Sequence, residues 1–194
     1  MDTLLLVLAA SPPHKDPGSI SSAYHRHSMA AMATMSFPRI CVSAIELENQ
    51  DKRYTFETVD TLRRTYGDEA AIFFIIGSDS FDELHKWKEP GRILDNCSIV
   101  VAARPGYEIA SETLASKALT ASQIDDVRGA SARRPLGAGP GRSRVYLTDL
   151  AWVDVSSSDI RRRVGEGLSI EGLTPGAVID YIGKYGLYKE PGGS

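Results

Sequence analysis

Between Val155 and Arg163 the chain reads VSSSDIRRR, a run of small hydroxyl residues followed within a turn by arginines. That order is what a helix N-terminus needs if it is to hold polyphosphate. Ser156 or Ser157 can cap the helix, and the uncapped backbone N–H groups, with the positive end of the helix dipole, then point at an anion. Arg161 lies three and four residues past Ser158 and Ser157. It shares their helical face and can close on the same phosphate, which Arg162 and Arg163 are less well placed to do. On this stretch alone, an ordinary capped surface helix with solvated arginines is the alternative.

Other residues with chemical potential sit where apolar runs stop. Leu4 to Ala10 ends at Ser11-Pro12-Pro13-His14-Lys15, where prolines preset the backbone and His14 and Lys15 could meet a phosphate; a polar turn is the bland alternative. Ala70 to Ile76 ends at Gly77-Ser78-Asp79, a glycine that permits close approach and an acid at the start of the next helix. Phe81, Leu84 and Trp87 space as one helical face, with Trp87 at its end, where an indole can leave the core and stack on a flat ring. GAGPGRS, late in the chain, lacks the glycine spacing and the Lys-Ser/Thr pair of a P-loop.

The elements that must position these groups alternate. Leu4–Ala10, Arg39–Leu47, Ala70–Ile76, Ser98–Ala103 and the run from Val145 to Val153 read as strands. Ser21 to Met35 reads as an amphipathic helix with Tyr24, Ser28, Ala31, Met32 and Met35 on one side and His25 and His27 on different faces. Thr55 is a plausible cap for a helix carrying Phe56, Val59, Leu62, Arg63 and Tyr66 down to Gly67, with Thr58 at its third position. The helix after VSSSDIRRR stops at Gly165 or Gly167. Thr174-Pro175 opens a last one whose stripe is Val178, Tyr181, Ile182 and Tyr185 before Gly186. Strands alternating with helices at this spacing predict an α/β fold, a doubly wound, Rossmann-like parallel sheet, whose ligands gather at the C-terminal strand ends. Ala110 to Arg144, rich in Ala, Ser, Gly and Arg, reads as a variable, flexible connection.

The net charge of −3 argues against a general nucleic-acid binder, so an anionic ligand must be held by a local site. No run approaches the ~20 apolar residues of a membrane span. Cys41 and Cys97 lie in or beside apolar runs with no metal-ligand spacing, which predicts buried free thiols in a reducing, cytoplasmic setting.

In order along the chain stand PPHK, YTxxT from Tyr54, IIGSDSF with Trp87 ten residues after its glycine, RPGY from Arg104, VSSSDIRRR, and the Gly-Leu-Tyr of Gly186 to Tyr188. Together they resemble bacterial nicotinate-nucleotide adenylyltransferase from about Leu4 to Tyr188. The resemblance implies transfer of the AMP portion of ATP to nicotinate mononucleotide with Mg²⁺, giving deamido-NAD and pyrophosphate, a step of NAD biosynthesis. It implies that Ser157, Ser158 and Arg161 line the ATP phosphate site, with Gly77 and Asp79 at the nucleotide-binding edge. Trp87 would stack on the pyridine ring, with Tyr54, Thr55 and Thr58 near the nicotinate carboxylate or its phosphate. His14 and Lys15 would lie beside the phosphates, His14 with Arg161 serving catalysis, and Arg104 near the nucleotide substrate.

The family's glycine-rich G-G-x-F-x-P-x-H-x-G-H turn does not occur in this sequence. The expectation is one nucleotidyltransferase domain over residues 1–194 that is N-terminally incomplete, a strand and its helix of roughly 25 to 30 residues preceding Met1. In doubly wound sheets that strand is central, and unpaired backbone groups there cost about 1 to 3 kcal/mol each. Against a total of about 5 to 15 kcal/mol the loss would be severe. Alternatives are a noncatalytic nucleotide-binding remnant, or an adenylyltransferase for another acceptor such as nicotinamide mononucleotide. Translation upstream of Met1 in frame is expected to give the missing turn; an upstream reading frame without it removes the expectation.

Overall fold

The computed structural model describes residues 2–10, 21–48, 54–103, 107–108, 121–128, 144–149 and 155–189. These fall into two compact units, Met1–Arg53 with Asp154–Ser194, and Tyr54–Val153. Every strand pair among the described residues is parallel, as the alternating pattern predicts.

The unit built from both ends of the numbering holds strands β1 (Leu4–Val7) and β2 (Ile40–Ser43), paired from Leu4 opposite Ile40 to Val7 opposite Ser43. Helix α1 (Ala23–Thr34) joins them. Ser22 caps it by accepting the His25 N–H at 3.3 Å, and Arg26 donates from Nη2 to the carbonyls of Ala9 (2.8 Å) and Ala10 (3.2 Å), tying the exit of β1 to the helix. Two further helices, α5 (Ser157–Gly165) and α6 (Gly176–Tyr185), complete the unit. Its core is Ile170, Val178 and Ile182, with Met29, Met32, Ile160 and Val164 packed against them.

Several expectations are corrected here. The face of α1 that packs carries Met29 and Met32, while Tyr24 and Met35 are 73% and 82% exposed. His25 explains the offset: its Nδ1 lies 2.9 Å from the Tyr181 hydroxyl, so the helix turns that side toward α6. The strand expected to reach Leu47 ends at Ser43, whose Oγ accepts the Ile45 N–H at 3.3 Å, and the amides of Leu47 and Glu48 turn back onto the Ala44 carbonyl. A side chain competing for the backbone ends the ladder. Cys41 is exposed rather than buried. The last helix begins one residue later than expected, with Pro175 rather than Thr174 in the capping position, and Tyr185 on its stripe is exposed.

The second unit is contiguous. Helix α2 (Thr55–Tyr66) is followed by β3 (Phe73–Gly77), the short helix α3 (Ser78–Asp82), a 3₁₀ turn (Glu83–Lys86) and α4 (Pro90–Asn96). Strands β4 (Ser98–Ala102), β5 (Ile124–Asp126) and β6 (Val145–Thr148) complete a sheet of order β3-β4-β6-β5. Its core gathers Phe81, Leu84, Ile93, Ile99, Val101 and Val145, all fully buried. Each removed apolar side chain contributes about 1.5 to 3 kcal/mol. Cys97 belongs to this core, and burial pushes its thiol up to about 12.

Strand β5 falls inside the stretch expected to be a connection. Its two aspartates disguise it, and both are charge-paired: Arg144 Nε bonds Asp125 at 2.6 Å and Arg128 Nη2 bonds Asp126 at 2.5 Å. Charge on an edge strand blocks pairing with another chain, and among the described residues β5 borders β6 alone. Residues 109–120 and 129–143 lie outside the described residues. The strand expected from Val145 to Val153 runs only to Thr148 as described.

Arg63 organises the entries of two strands. Helix α2 ends at Gly67, whose φ of +78° takes the chain out of the helix where a side chain would be strained. Around that exit Arg63 Nη1 donates to the carbonyls of Gly67 (3.0 Å) and Ala70 (2.6 Å), and Nη2 to that of Asn96 (2.6 Å). One guanidinium thus satisfies the loop before β3 and the end of α4 before β4. Replacing it by methionine leaves those carbonyls without their charged donor, and we expect a loss of about 2 to 4 kcal/mol in urea unfolding; Arg63→Lys, which cannot span the same carbonyls, should recover only a minor part.

Candidate active site

In the contiguous unit, Tyr54 is the residue that caps α2, correcting the expectation for Thr55, which is the first helical residue. The Tyr54 N–H donates to Glu57 Oε2 at 2.9 Å, half of a capping box in which the acid, not a threonine, meets the open amide. Thr58 is buried in the first turns. Gly77 ends β3, and a Cβ built there would meet nothing within 4 Å. Its φ of −73° suits any residue, so the position is open space at a C-terminal strand end. Asp79 lies in the first turn of α3. Trp87 closes the 3₁₀ turn, half-buried, with its ring edge-on to Phe74 at 6.2 Å and 65°. The indole is therefore anchored in the core on one side, between the two expectations for it.

A network around α3 escaped the sequence reading. The Tyr107 hydroxyl donates to Asp82 Oδ1 at 2.7 Å, and burial first, then that bond and the charges of Asp82 and Asp79, raise its pKa well above the ordinary phenol value. Arg128 donates to the Tyr107 carbonyl while bonded to Asp126. The residues after β4 and after β5 are thus tied to the helix that carries Asp79. The only hint in the sequence was the tyrosine closing RPGY.

In the other unit, Ser156 is the cap of α5, its Oγ accepting the Asp159 N–H at 3.1 Å. Ile160 and Val164, four residues apart, press the helix onto the core. Ser157 and Ser158 stand exposed on the rest of its surface, with Arg161 half-buried beside them. The three arginines have different employment. Arg162 bonds Asp159 (2.7 Å) and Glu166 (2.5 Å), and Arg163 bonds Asp159 (2.8 Å). Hydrogen bonds from Arg163, then Arg162, hold the Asp159 carboxyl below its usual range. Arg161 Nη2 donates to Ser158 Oγ at 3.2 Å, and no carboxylate among the described residues pairs with it. It is the guanidinium that can turn to an anion without breaking an ion pair.

His14, Lys15 and Arg104 lie outside the described residues. Among the described residues no three His, Cys, Asp or Glu side chains converge as a metal site, and no helix is long and apolar enough to cross a membrane.

Parallel strands alternating with helices define an α/β protein, and each unit carries candidate groups of the kind that handle nucleotides: Gly77 and Asp79 at a C-terminal strand end in one, a serine-capped helix with an arginine in the other. The cytidylyltransferase-like family model matches residues 1–163, which sets the class. A protein of Yersinia pestis named a probable nicotinate-nucleotide adenylyltransferase is 38% identical over 179 residues, 92% of this chain and 78% of the relative. One of the same name from Moorella thermoacetica is 32% identical over 189 residues, 97% of this chain and 79% of the relative. The chain belongs to the nicotinate-nucleotide adenylyltransferase family. Its fold matches that of the Plasmodium falciparum nicotinic acid mononucleotide adenylyltransferase complexed with NaAD at a TM-score of 0.66 and 17% identity, over 97% of this chain and 83% of that one. The same enzyme complexed with APC matches at 0.65.

The pairing in α5 has an electrostatic consequence. Asp159→Asn removes the carboxylate that holds Arg163 and one of the two that hold Arg162, so binding of inorganic tripolyphosphate, measured by calorimetry at low salt, should strengthen severalfold. The gain should shrink as added salt screens it.

Proposed function

We infer that this chain transfers the adenylyl group of ATP to nicotinate mononucleotide. An oxygen of the acceptor's 5′-phosphate attacks the α-phosphorus of ATP. The bond from that phosphorus to the bridging oxygen of the β-phosphate breaks, leaving deamido-NAD and pyrophosphate. A nucleotide 5′-phosphate is already a nucleophile, so no general base or covalent intermediate is required. The catalytic work is alignment and charge neutralisation at phosphate.

The observation that carries this reading is the unequal use of the arginines in α5. Arg161 shares its face with Ser158, while Arg162 and Arg163 are held by Asp159. In this reading the N-terminal turn of α5, with Ser157 and Ser158, receives the ATP phosphates, and Arg161 neutralises the charge that grows on the leaving pyrophosphate. His14 and Lys15 act on the phosphates from the loop after β1. Gly77 and Asp79 border the nucleotide, Trp87 stacks on the pyridine ring, and Tyr54, Thr55 and Thr58 lie toward its carboxylate or phosphate, with Arg104 at the acceptor nucleotide. Mg²⁺, if held by the triphosphate, would supply charge neutralisation there and would ask the protein for one or two oxygen ligands at most. The free thiols suit a reducing cytoplasm.

Purified protein with ATP, Mg²⁺ and nicotinate mononucleotide should release pyrophosphate and form deamido-NAD. Arg161→Ala is expected to lower kcat/KM by about a hundredfold or more, whereas Arg162→Ala should stay within about fivefold because that side chain serves exposed ion pairs. Absence of pyrophosphate release by the unaltered chain, or equal losses in the two variants, would sink the reading.

A further inference from the structure

The Gly-Leu-Tyr that follows α6 puts a tyrosine where three elements of its unit meet. Gly186 ends the helix, and the Leu187 N–H turns back to the Ile182 carbonyl at 3.1 Å. Tyr188 then takes up the left-handed region at φ +65°. A residue with a Cβ stays there only where its surroundings over-determine it. The Tyr188 side chain packs against the core of Ile170, Val178 and Ile182, and its hydroxyl lies 3.0 Å from Ser21 Oγ. Its carbonyl crowds Gly165, the last residue of α5, where a Cβ would come to 3.3 Å from it.

Ser21, 167 residues earlier, is where the chain enters α1, next to its cap Ser22. The Ser21 carbonyl accepts a hydrogen bond from Arg26 Nε at 3.3 Å. Through Nη2 the same guanidinium holds the carbonyls of Ala9 and Ala10, where the chain leaves β1. The segment between those two places in sequence, residues 11–20, contains His14 and Lys15. Fixing both ends of a segment removes part of the conformational freedom that any one arrangement of it must give up. Helix α1 is secured by other means: it has its serine cap, Met29 and Met32 pack on the core, and His25 Nδ1 meets the Tyr181 hydroxyl at 2.9 Å. What Tyr188 and Arg26 add is a fixed place for the chain before and after His14 and Lys15.

We propose that Tyr188 and Arg26 are positioning residues of the phosphate site. Tyr188 fixes Ser21, Arg26 closes Ala9 and Ala10 onto it, and His14 and Lys15 are thereby presented to the phosphates that α5 receives. The proposal rests on the reading that gives those phosphates to α5, His14 and Lys15. The second contact of Tyr188 extends the effect. Because the residue that holds Ser21 also abuts the end of α5, the helix of Arg161 and the segment of His14 take their places from one common reference. Cationic groups held in place beforehand need no reorganisation when a polyphosphate arrives.

Calorimetric titration of the full chain with inorganic tripolyphosphate tests this without requiring turnover. Tyr188→Phe removes only the hydroxyl, and Ser21→Ala breaks the same contact from its other side; each should weaken binding about fivefold, the worth of one hydrogen bond. Arg26→Lys, which keeps the charge but cannot span the three carbonyls, should weaken it at least as much. In a His14→Ala, Lys15→Met background the same changes should shift binding by less than about twofold, because the groups they position are gone. Equal weakening in both backgrounds, or none in either, overturns the proposal, the first outcome marking Tyr188 and Arg26 as structural supports alone. A background whose own affinity matches that of the unaltered chain refutes the role of His14 and Lys15, and the proposal with it. The expected coupling without pyrophosphate release on adding ATP, Mg²⁺ and nicotinate mononucleotide would refute the transfer reading while upholding the positioning. Release by the unaltered chain, with tripolyphosphate binding indifferent to Tyr188→Phe, would do the reverse.

Discussion

Backbone carbonyls leaving a helix and entering a strand need donors, and in the contiguous unit one side chain provides for two such places. Arg63 reaches back from the last turn of α2 to Gly67 and Ala70 and across to Asn96. A charged donor shared among carbonyls does more than satisfy them, because it fixes where β3 and β4 begin relative to α2. Gly77 and Asp79 stand at the far end of β3, and Tyr54 at the far end of α2. The spacing of those candidate groups within the unit is inherited from that guanidinium at the opposite end. The apolar core supplies the bulk of the stabilisation, but it is non-directional and would tolerate slippage that the hydrogen bonds do not.

Elsewhere, charge is distributed so that some cations are committed and others are held in reserve. In α5 a single carboxylate, Asp159, occupies two neighbouring arginines and leaves the third beside a serine hydroxyl. Beside α2, Asp60 occupies Arg92 while Lys88 rests on the ring of Tyr54. In both places the uncommitted cation sits on a rigid support: a helix pinned by Ile160 and Val164, and a stacked pair anchored through Phe56. A cation held by a hydroxyl or a π face can be redirected at lower cost than one in an ion pair with a carboxylate.

The sequence announced the parts governed by periodicity. Val178 and Ile182 on the last helix, Phe81 and Leu84 ahead of Trp87, and the serine cap of α5 were readable because local chemistry and burial agree there. What escaped it depends on contacts remote in sequence. The packed side of α1 is set by a hydroxyl 156 residues away, on Tyr181, which rotates Tyr24 and Met35 into solvent. Strand β5 was hidden because its aspartates are paid for by Arg144 and Arg128, and the cap of α2 because Glu57 reaches the Tyr54 amide ahead of any threonine. That Arg161 shares the serine side of its helix was legible from helical geometry, but that Asp159 occupies its two neighbours was visible only in their partners.

The two units differ in a way that bears on how the protein comes into being. The contiguous one, Tyr54–Val153, is synthesised whole before the second half of its companion has left the ribosome. The other draws α1 from early in the chain and α5 and α6 from late in it, and Met29 and Met32 find their cover only when Ile160, Val178 and Ile182 have been made. Closing so long a loop is slow compared with local pairing, and until it closes the apolar side of α1 is open to other chains. The helix that offers Arg161 is therefore among the last pieces to be secured, and premature termination of translation leaves behind a sheet without it.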